Sequence, residues 1–383
     1  MSTHILAEIA DLAPRIVSRM PEIEAARRVP PDLVETLRAS GIFRMFVPRI
    51  HGGLELDLPT GLAAFAAMAR VESSVGWIAM IGATPAIFAP LLPRRTYNRI
   101  YRDGPDVIFA ATARPSGTAE AVSGGWRVTG RWPFMSGCQH ADYIIGFCVM
   151  AEQGKPLPCP AGEAGPPRLG AFVLPARDWQ IEDTWHVTGL KGTGSQDTVL
   201  RDVLVPEENF LDLATMMSCV PGPLYTGPLQ TLPLVHGANS VGIAEGALDA
   251  LVALAQSGRQ QFHAATPLRD SGIFQYELGR VQADIRAARA MLETQAASHW
   301  RHAVAGTLNQ EALQIEATQA ATWLTAACVR ATDACFALAG SSAVYDTSPL
   351  QQRLRDMRVA AQHASVQQRN YQAGGRLLLS AAA

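Results

Sequence analysis

The sequence predicts a mainly α-helical protein with a central β domain between two helical units. Apolar residues recur at helical spacing from Ile5 to about Tyr101, take a period near two between Val107 and about Phe210, and return to helical spacing from Leu232. The predicted domains are 1–108, helical; 109–215, β; and 216–383, a four-helix bundle. With 383 residues, 48% of them hydrophobic, the chain can bury a core large enough for these units.

The first unit shows the periodicity of amphipathic helices. Ile5, Ile9, Leu12 and Ile16 recur at i, i+4 and i+7, which places them on one helix face. A break follows at Pro48, because proline ends helical structure. The apolar stretch 75–92 is interrupted by glycines and prolines, so we expect a buried helical hairpin there rather than a membrane span.

The second and third units differ in their spacing. Apolar runs typical of strands begin at Trp126, Tyr143 and Thr198. The segment 153–170 is dense in proline and glycine, so we expect a solvent loop between two strands. The third unit is Ala-rich with breaks near 271, 305 and 340, which favours four antiparallel helices of about twenty residues or more.

The composition excludes several classes of partner. Acidic residues number 34 and basic residues 32, without a long run of like charge, so we expect neither nucleic-acid nor membrane binding. The six cysteines lack metal-ligand spacing, and we predict neither a metal site nor a disulfide. The N-terminus lacks the pattern of a secretory signal, so the predicted location is the cytoplasm. No Gly-x-Gly-x-x-Gly segment follows a predicted strand, so we expect no NAD(P)H site.

Three segments of the β unit suit a flat aromatic cofactor. Tryptophans can lie against a ring, hydroxyls can hydrogen-bond its carbonyls, and glycines let backbone N–H groups approach closely. Packed strands and tight turns without a ligand are the alternative for the same residues. The candidates are Thr112, Ser116, Trp132, Ser136, Trp185, Gly192 and Ser195.

The order of units and these motifs resemble the acyl-CoA dehydrogenase superfamily, and Trp132-Pro-Phe-Met-Ser-Gly resembles a motif of its oxygenase branch, the two-component flavin-dependent monooxygenases. The resemblance implies the acyl-CoA dehydrogenase-like fold, with Ser136 near flavin N5 and Trp132 and Trp185 around the ring system. It implies a homo-oligomer, expected to be a tetramer, because residues of one subunit contact the tail of the cofactor bound by another. The residues that match these tail contacts are Arg259, Phe262 and Gln275.

The segment from Arg353 to Gln367 separates two activities. Acyl-CoA dehydrogenases continue this stretch into a loop whose glutamate removes the substrate α-proton, whereas here the loop reads Gln-His363-Ala-Ser. The alternative family position for the base falls near Thr231 and is also neutral, and proton abstraction needs a positioned base. Similarity to the flavin-dependent hydroxylases implies that His363 hydrogen-bonds or protonates the flavin C4a-hydroperoxide, a role suited to a group that titrates near neutrality.

The sequence therefore predicts an oxygenase component that receives reduced flavin, FMNH2 or FADH2, from a separate NAD(P)H-flavin reductase and oxygenates an aromatic or polycyclic molecule. Thr84 and His140 are candidate substrate-binding residues. Some phenol-hydroxylating relatives carry a histidine after the Gly-Trp pair, which Gly76-Trp77-Ile-Ala-Met lacks, so the sequence does not fix a phenol as substrate. Three alternatives stay open: an acyl-CoA dehydrogenase or oxidase with an unrecognised base, an oxygenase acting on an aromatic acyl-CoA thioester, and a catalytically silent scaffold.

Overall fold

The structure, a computed structural model, describes residues 2–159 and 166–380. The chain opens with helices α1 (Ser2–Ser18), α2 (Met20–Ala26), α3 (Pro31–Ala39), α4 (Leu58–Val71), α5 (Ser73–Ala83) and α6 (Arg94–Ile100). Helices α4 and α5 begin at carboxylate caps, because Asp57 accepts from the backbone N–H of Thr60 at 2.7 Å and Glu72 from that of Val75 at 2.6 Å. All of α5 except Ile81 is buried, so this helix forms part of the core.

The apolar stretch 75–92 differs in one respect from the expected hairpin. Helix α5 continues into the 3-10 turns Thr84–Ile87 and Ala89–Leu91 rather than into a second antiparallel helix. Pro85 and Pro90 each lack a backbone N–H, and a regular α-helix cannot continue through both. Ser73–Leu91 and Pro228–Gln256 are apolar enough to cross a membrane, but 89% and 61% of their apolar windows are buried in this fold, as in core helices.

A seven-stranded sheet follows the helical unit within the described residues. Its strands are β1 (Phe109–Val122), β2 (Gly125–Met135), β3 (Tyr143–Glu152), β4 (Lys155–Pro156), β5 (Leu169–Pro175), β6 (Gln180–Glu182) and β7 (Gln196–Val205). The order is β4-β3-β1-β2-β7-β6 with β5 also on β3, and only the β1–β3 pair is parallel. The predicted loop 153–170 includes β4 and the start of β5, and its residues 160–165 lie outside the described part.

Helices α7 (Pro228–Gln256), α8 (Gly272–Val304), α9 (Glu311–Ala339), α10 (Pro349–Ala360) and α11 (Tyr371–Ser380) complete the chain. Helices α7 and α9 have 29 residues each and α8 has 33, in line with the expected length, whereas α10 has only 12 residues and is shorter than expected. Helix α7 packs against α9, α8 and α10, and its other side contacts α4 and α5. This packing places α7 between the bundle and the N-terminal helices.

Candidate active site

A chain of buried hydroxyl groups links α5 to the β domain. The indole Nε1–H of Trp77 donates to Ser136 Oγ at 3.1 Å, Ser136 Oγ lies 2.7 Å from Ser195 Oγ, and Ser195 Oγ lies 2.7 Å from Thr193 Oγ1. The Thr193 hydroxyl donates to the Leu190 carbonyl at 2.8 Å. Trp77 and the three hydroxyl residues are each 8% exposed or less. We call these five groups the hydroxyl relay.

The end of the hydroxyl relay fixes the direction of every bond in it. Thr193 has one proton and uses it on a carbonyl, so its oxygen must accept from Ser195. Ser195 has then used its proton, so Ser136 must donate to Ser195. Ser136 Oγ therefore accepts from Trp77, donates to Ser195 and retains one free lone pair. At this position the protein offers a hydrogen-bond acceptor and no free donor.

Two tight turns bring the serines together. Ser136 lies two residues after Phe134, whose φ is +62°, and directly before Gly137, whose φ is +73°. The Gly137 N–H donates to the Thr193 carbonyl at 2.9 Å, which ties the turn after β2 to the turn before β7. A left-handed conformation is unusual for a bulky side chain and is found where the surroundings over-determine it. Here it leaves the Phe134 ring 58% exposed beside the buried hydroxyls.

A buried charge cluster supports the second turn. Asp356 Oδ1 accepts from the backbone N–H of Leu190, a residue with φ +51°, at 2.6 Å. Arg353 donates to the carbonyls of residues 69, 70 and 71, and its charge acts on the carboxyl groups of both Glu72 and Asp356. Burial raises the pKa of both Glu72 and Asp356. Through Asp356 on α10, the cluster fixes the backbone of Leu190, whose carbonyl ends the hydroxyl relay.

Two imidazoles face Trp77 from the bundle side. The rings of His236 on α7 and His363, just after α10, stack with centroids 3.7 Å apart and planes at 22°. Their centroids lie 5.4 Å and 5.9 Å from that of Trp77. His236 is 4% exposed and His363 is half-buried. Trp77 thus separates the imidazole pair from Ser136.

The hydrogen bonding of His363 determines its tautomer. Its Nδ1 accepts from the backbone N–H of Ser365 at 3.3 Å, so in the neutral ring the proton is on Nε2. Burial lowers the pKa of His363 to about 4 and holds that of His236 well below its ordinary value, with His363 as a second cause for His236. His363 is therefore a neutral Nε2–H donor at neutral pH, which corrects the expectation of a group that titrates near neutrality.

Comparison with known proteins agrees with this geometry. Two family models match: acyl-CoA dehydrogenase, N-terminal domain, over residues 4–93, and acyl-CoA dehydrogenase, C-terminal domain, over residues 234–368. An indole-3-acetate monooxygenase of Pseudomonas putida is 32% identical over 365 residues, 94% of this chain and 90% of that protein.

Further relatives extend the likeness to solved structures. The flavin-dependent monooxygenase, oxygenase subunit HsaA, of Rhodococcus jostii is 28% identical and is matched over 92% of each chain. The crystal structure of 3-HSA hydroxylase from Rhodococcus sp. RHA1 has a TM-score of 0.90 at 27% identity, over 98% of this chain and 97% of that chain. The chain belongs to the flavin-dependent monooxygenases of the acyl-CoA dehydrogenase superfamily. The predicted family, fold class, enzyme class and flavin dependence are confirmed.

The site of this flavin-dependent monooxygenase suits a flavin ring. Phe134 contacts Trp185 edge to face at 6.2 Å between centroids, and the Phe134 carbonyl accepts from the backbone N–H of Ser136 at 2.9 Å. The Nε1–H of Trp185 donates to the Leu190 carbonyl at 3.1 Å, so its ring is held by the same turn as the hydroxyl relay. Exposed aromatic surface beside a buried acceptor is the arrangement that a planar heteroaromatic ring requires.

The structure places the remaining predicted residues of the β domain in different surroundings. Trp132 is fully buried, donates to the Phe147 carbonyl and lies over the opposed glycines 117 and 130, so it packs within the sheet rather than beside Ser136. Gly192 is buried against Ile23 and Ser74, so closely that a Cβ at this position would clash with both. Thr112 and Ser116 flank the bulge of β1 and are half-buried.

The two candidate substrate residues also differ. Thr84 is 5% exposed, and its Oγ1 has no hydrogen-bond partner among the described residues. His140 lies in the turn after β2, where burial and then Arg28 lower its pKa to about 4. Its neighbour Asp142 bonds to Arg38 and to the backbone N–H of Ile108 rather than to His140.

Three predicted residues are not brought to this site within one chain. Arg259, Phe262 and Gln275 lie beyond the C-terminal end of α7, and twenty residues of helix from His236 to Gln256 span about 30 Å. Phe262 is 90% exposed, and the Arg259 guanidinium makes one side-chain hydrogen bond within the described part of the chain, to Ser341 Oγ at 3.4 Å.

Sequence reasoning missed several residues at the site. Strand alternation predicts that the side chain of Phe134 lies on the same face of β2 as that of Trp132. The positive φ of Phe134 turns its ring away from Trp132, and no sequence pattern predicts that turn. His236 was missed because it lies in a continuously apolar helix, where a histidine is usually part of the core. Trp77 belongs to the Gly-Trp pair, but no sequence pattern indicates that its indole bonds to Ser136, and Thr193 carries no signal beyond its residue type.

Proposed function

We propose that this monooxygenase is the oxygenase component of a two-component system and inserts one oxygen atom of O2 into a small aromatic molecule. The observation that carries the proposal is the meeting of the hydroxyl relay and the imidazole pair at Trp77. Support for an aromatic substrate comes from the relative that acts on indole-3-acetate. Overall, substrate C–H, O2, two electrons and two protons yield substrate C–OH and water.

Reduced flavin, FMNH2 or FADH2, supplies the two electrons that activate O2 when it is bound. We assign Ser136 Oγ the role of accepting the N–H that a flavin carries at N5 only in the reduced form, because its own proton is committed to Ser195. Phe134 and Trp185 exclude water from that acceptor. Thr112, Ser116 and the turn of Gly192 and Ser195 would hold the rest of the ring system.

His363 is assigned to the oxygen side of the reaction. Its Nε2–H is the free donor of a ring whose other nitrogen is already bonded. A neutral donor can stabilise developing negative charge on oxygen without first losing a proton to solvent. Burial lowers the pKa of His363, which keeps its ring in the neutral form.

The proposal includes partners and organisation. A separate NAD(P)H-flavin reductase is supported by the description of HsaA as an oxygenase subunit. A homotetramer, in which Arg259, Phe262 and Gln275 reach the cofactor tail of another subunit, is supported by their distance from this chain's own site and by the exposure of Phe262.

We retain domains 1–108, 109–215 and 216–383, supported by the changes of structure at Phe109 and Pro228. The free cysteines support a cytoplasmic location.

The test uses purified protein and flavin reduced chemically, without a reductase. We expect the protein to bind reduced flavin and to form hydroxylated product from aromatic probes only when O2 is admitted. Anaerobic bleaching of bound oxidised flavin by acyl-CoA thioesters would contradict the proposal and establish dehydrogenation instead. Failure to bind flavin in either form would contradict it in favour of a silent scaffold.

A further inference from the structure

His363 lies in a short turn between two helices. Helix α10 ends at Ala360, and the next α-helix, α11, begins at Tyr371. His363 has φ −64° and ψ 138°, an extended conformation, and it caps the 3-10 turn Ala364–Val366. Because the direction of a side chain depends on its backbone angles, the ring of His363 is aimed only as firmly as this turn is held.

Three consecutive carbonyl groups around His363 accept hydrogen bonds. The Gln362 carbonyl accepts from the side-chain amide of Gln367 at 2.8 Å, and the Ala364 carbonyl accepts from that of Asn370 at 3.0 Å. The His363 carbonyl between them accepts from the backbone N–H three residues further on at 3.0 Å. Two downstream side chains therefore hold the peptide groups on both sides of the imidazole.

Helix α9 anchors one of these two amides. The Thr322 hydroxyl on α9 donates to the Thr318 carbonyl at 2.8 Å, so its oxygen remains an acceptor, and Asn370 Nδ2 donates to it at 3.4 Å. Both partners of Asn370 are thus acceptors, which requires its NH2 end to face them. Thr322 is fully buried. Asn370 therefore links a fixed helix of the bundle to the peptide that follows His363.

The turn lies against two helices of the site. It packs on α9 and α7, and its apolar residue Val366 is 4% exposed. The ring of His236 on α7 stacks on that of His363 at 3.7 Å between centroids, and Trp77 lies 5.9 Å away, edge to face. A displacement of about 1 Å in a reacting group can cost about 10²-fold in rate, so the hydrogen bonds of this turn affect the chemistry.

We propose that Asn370 and Gln367 are positioning residues for His363. They act through the turn rather than on the flavin or the substrate, and they hold it in the conformation that aims the Nε2–H at the oxygen side of the reaction. Without them the donor leaves its place, and the two electrons of reduced flavin and two protons convert O2 into H2O2. The inference rests on the proposed function, since it explains how the donor assigned there is aimed.

The test measures how O2 is divided between H2O2 and hydroxylated product, using the full-length protein, chemically reduced flavin and indole as the probe. Asn370→Leu and Gln367→Leu remove one amide each. We expect each to raise the ratio of H2O2 to product about fivefold, the size of one neutral hydrogen bond, without changing the Kd of reduced flavin. Asn370→Gln keeps the donor and recovers part of the coupling. Gln368→Leu, at an exposed residue of the same segment, is the matched control and leaves the ratio unchanged.

A second set of variants separates positioning from a general structural role. If Asn370 acts through His363, adding Asn370→Leu to His363→Ala leaves the ratio at the value of His363→Ala. Gln367→Leu is put through the same cycle, so the test stands if Asn370→Leu does not fold.

Three results overturn the inference alone: a further rise in the double variants, an unchanged ratio in the single Asn370 and Gln367 variants, or an equal rise in Gln368→Leu. Two results overturn the proposed function as well: no hydroxylated product from indole with the unmodified protein, or a ratio that His363→Ala leaves unchanged.

Discussion

The direction of the hydroxyl relay predicts an effect of Thr193→Val on the redox preference of the site. Valine matches threonine in shape but offers no oxygen, so Ser195 loses its acceptor and can turn its proton towards Ser136. Ser136 then accepts from Ser195, and its own proton, which in the native site is donated to Ser195, becomes available to the flavin. A site that favoured the N–H of reduced flavin would lose that preference.

The size of the effect follows from one hydrogen bond. A neutral hydrogen bond contributes ~1 kcal/mol net, so the ratio of the Kd for oxidised flavin to the Kd for reduced flavin should fall about five- to tenfold. Both constants are measured by equilibrium dialysis, the reduced form under anaerobic conditions. Thr332→Val is the matched control, because Thr332 is equally buried and also donates to a carbonyl, within α9 at 2.8 Å.

Two results would refute the reasoning. If Thr193→Val weakens both flavin forms equally, the turn has lost its shape and the direction of the Ser136 bond is irrelevant to redox preference. If Thr332→Val changes the ratio as much, the effect belongs to general loss of stability. A ratio that falls only in Thr193→Val supports Ser136 as an acceptor.

Three other variants or conditions test the site. His363→Ala should bind flavin normally but release more H2O2 per O2 consumed, and unchanged coupling of O2 to product would contradict its assignment. Because the pKa of His363 is lowered to about 4, coupling should stay level from about pH 8 to about pH 5 and decline as pH falls through 4; an inflection near 6.5 that His363→Gln abolishes would contradict this. Asp356→Ala should lower the free energy of unfolding by ~1 to 3 kcal/mol in denaturant titrations, since the Leu190 N–H loses its buried acceptor, and Asp356→Asn should recover part of the loss.

The same pKa shifts set the sign of acid sensitivity. Above its unfolded pKa near 6.5, His363 is neutral in both folded and unfolded chains and contributes no pH dependence. Between about 6.5 and about 4 the unfolded chain binds the proton and the folded chain does not, so the free energy of unfolding falls as pH falls. Glu72 and Asp356, whose pKa values are raised, act in the opposite direction: their contribution weakens as pH rises through their folded pKa values.

The sequence was sufficient for the order of units and for the choice of Ser136 and His363, which both lie beside Trp77, because both are in motifs read from consecutive residues. It was insufficient for Phe134, because strand alternation predicts its direction wrongly when φ is positive. The pairing of His236 with His363 depends on the packing of α7 against the segment after α10, which no local pattern encodes.

Trp132 shows the reverse error. An aromatic residue in a recognised motif was expected at the flavin, yet the opposed glycines of β1 and β2 make room for its ring inside the sheet. Arg259 lies far from Ser136 within this chain, and the contact that we propose for it with another subunit cannot be derived from one chain's spacing.

The most direct measurement of the central claim is a single turnover with chemically reduced flavin and oxygen-18 gas, using indole as the probe and mass spectrometry of the product. The account predicts one labelled oxygen atom per hydroxylated product, with the other atom recovered as water. Unlabelled product, or complete conversion of the consumed O2 into H2O2 with the probe intact, would contradict it.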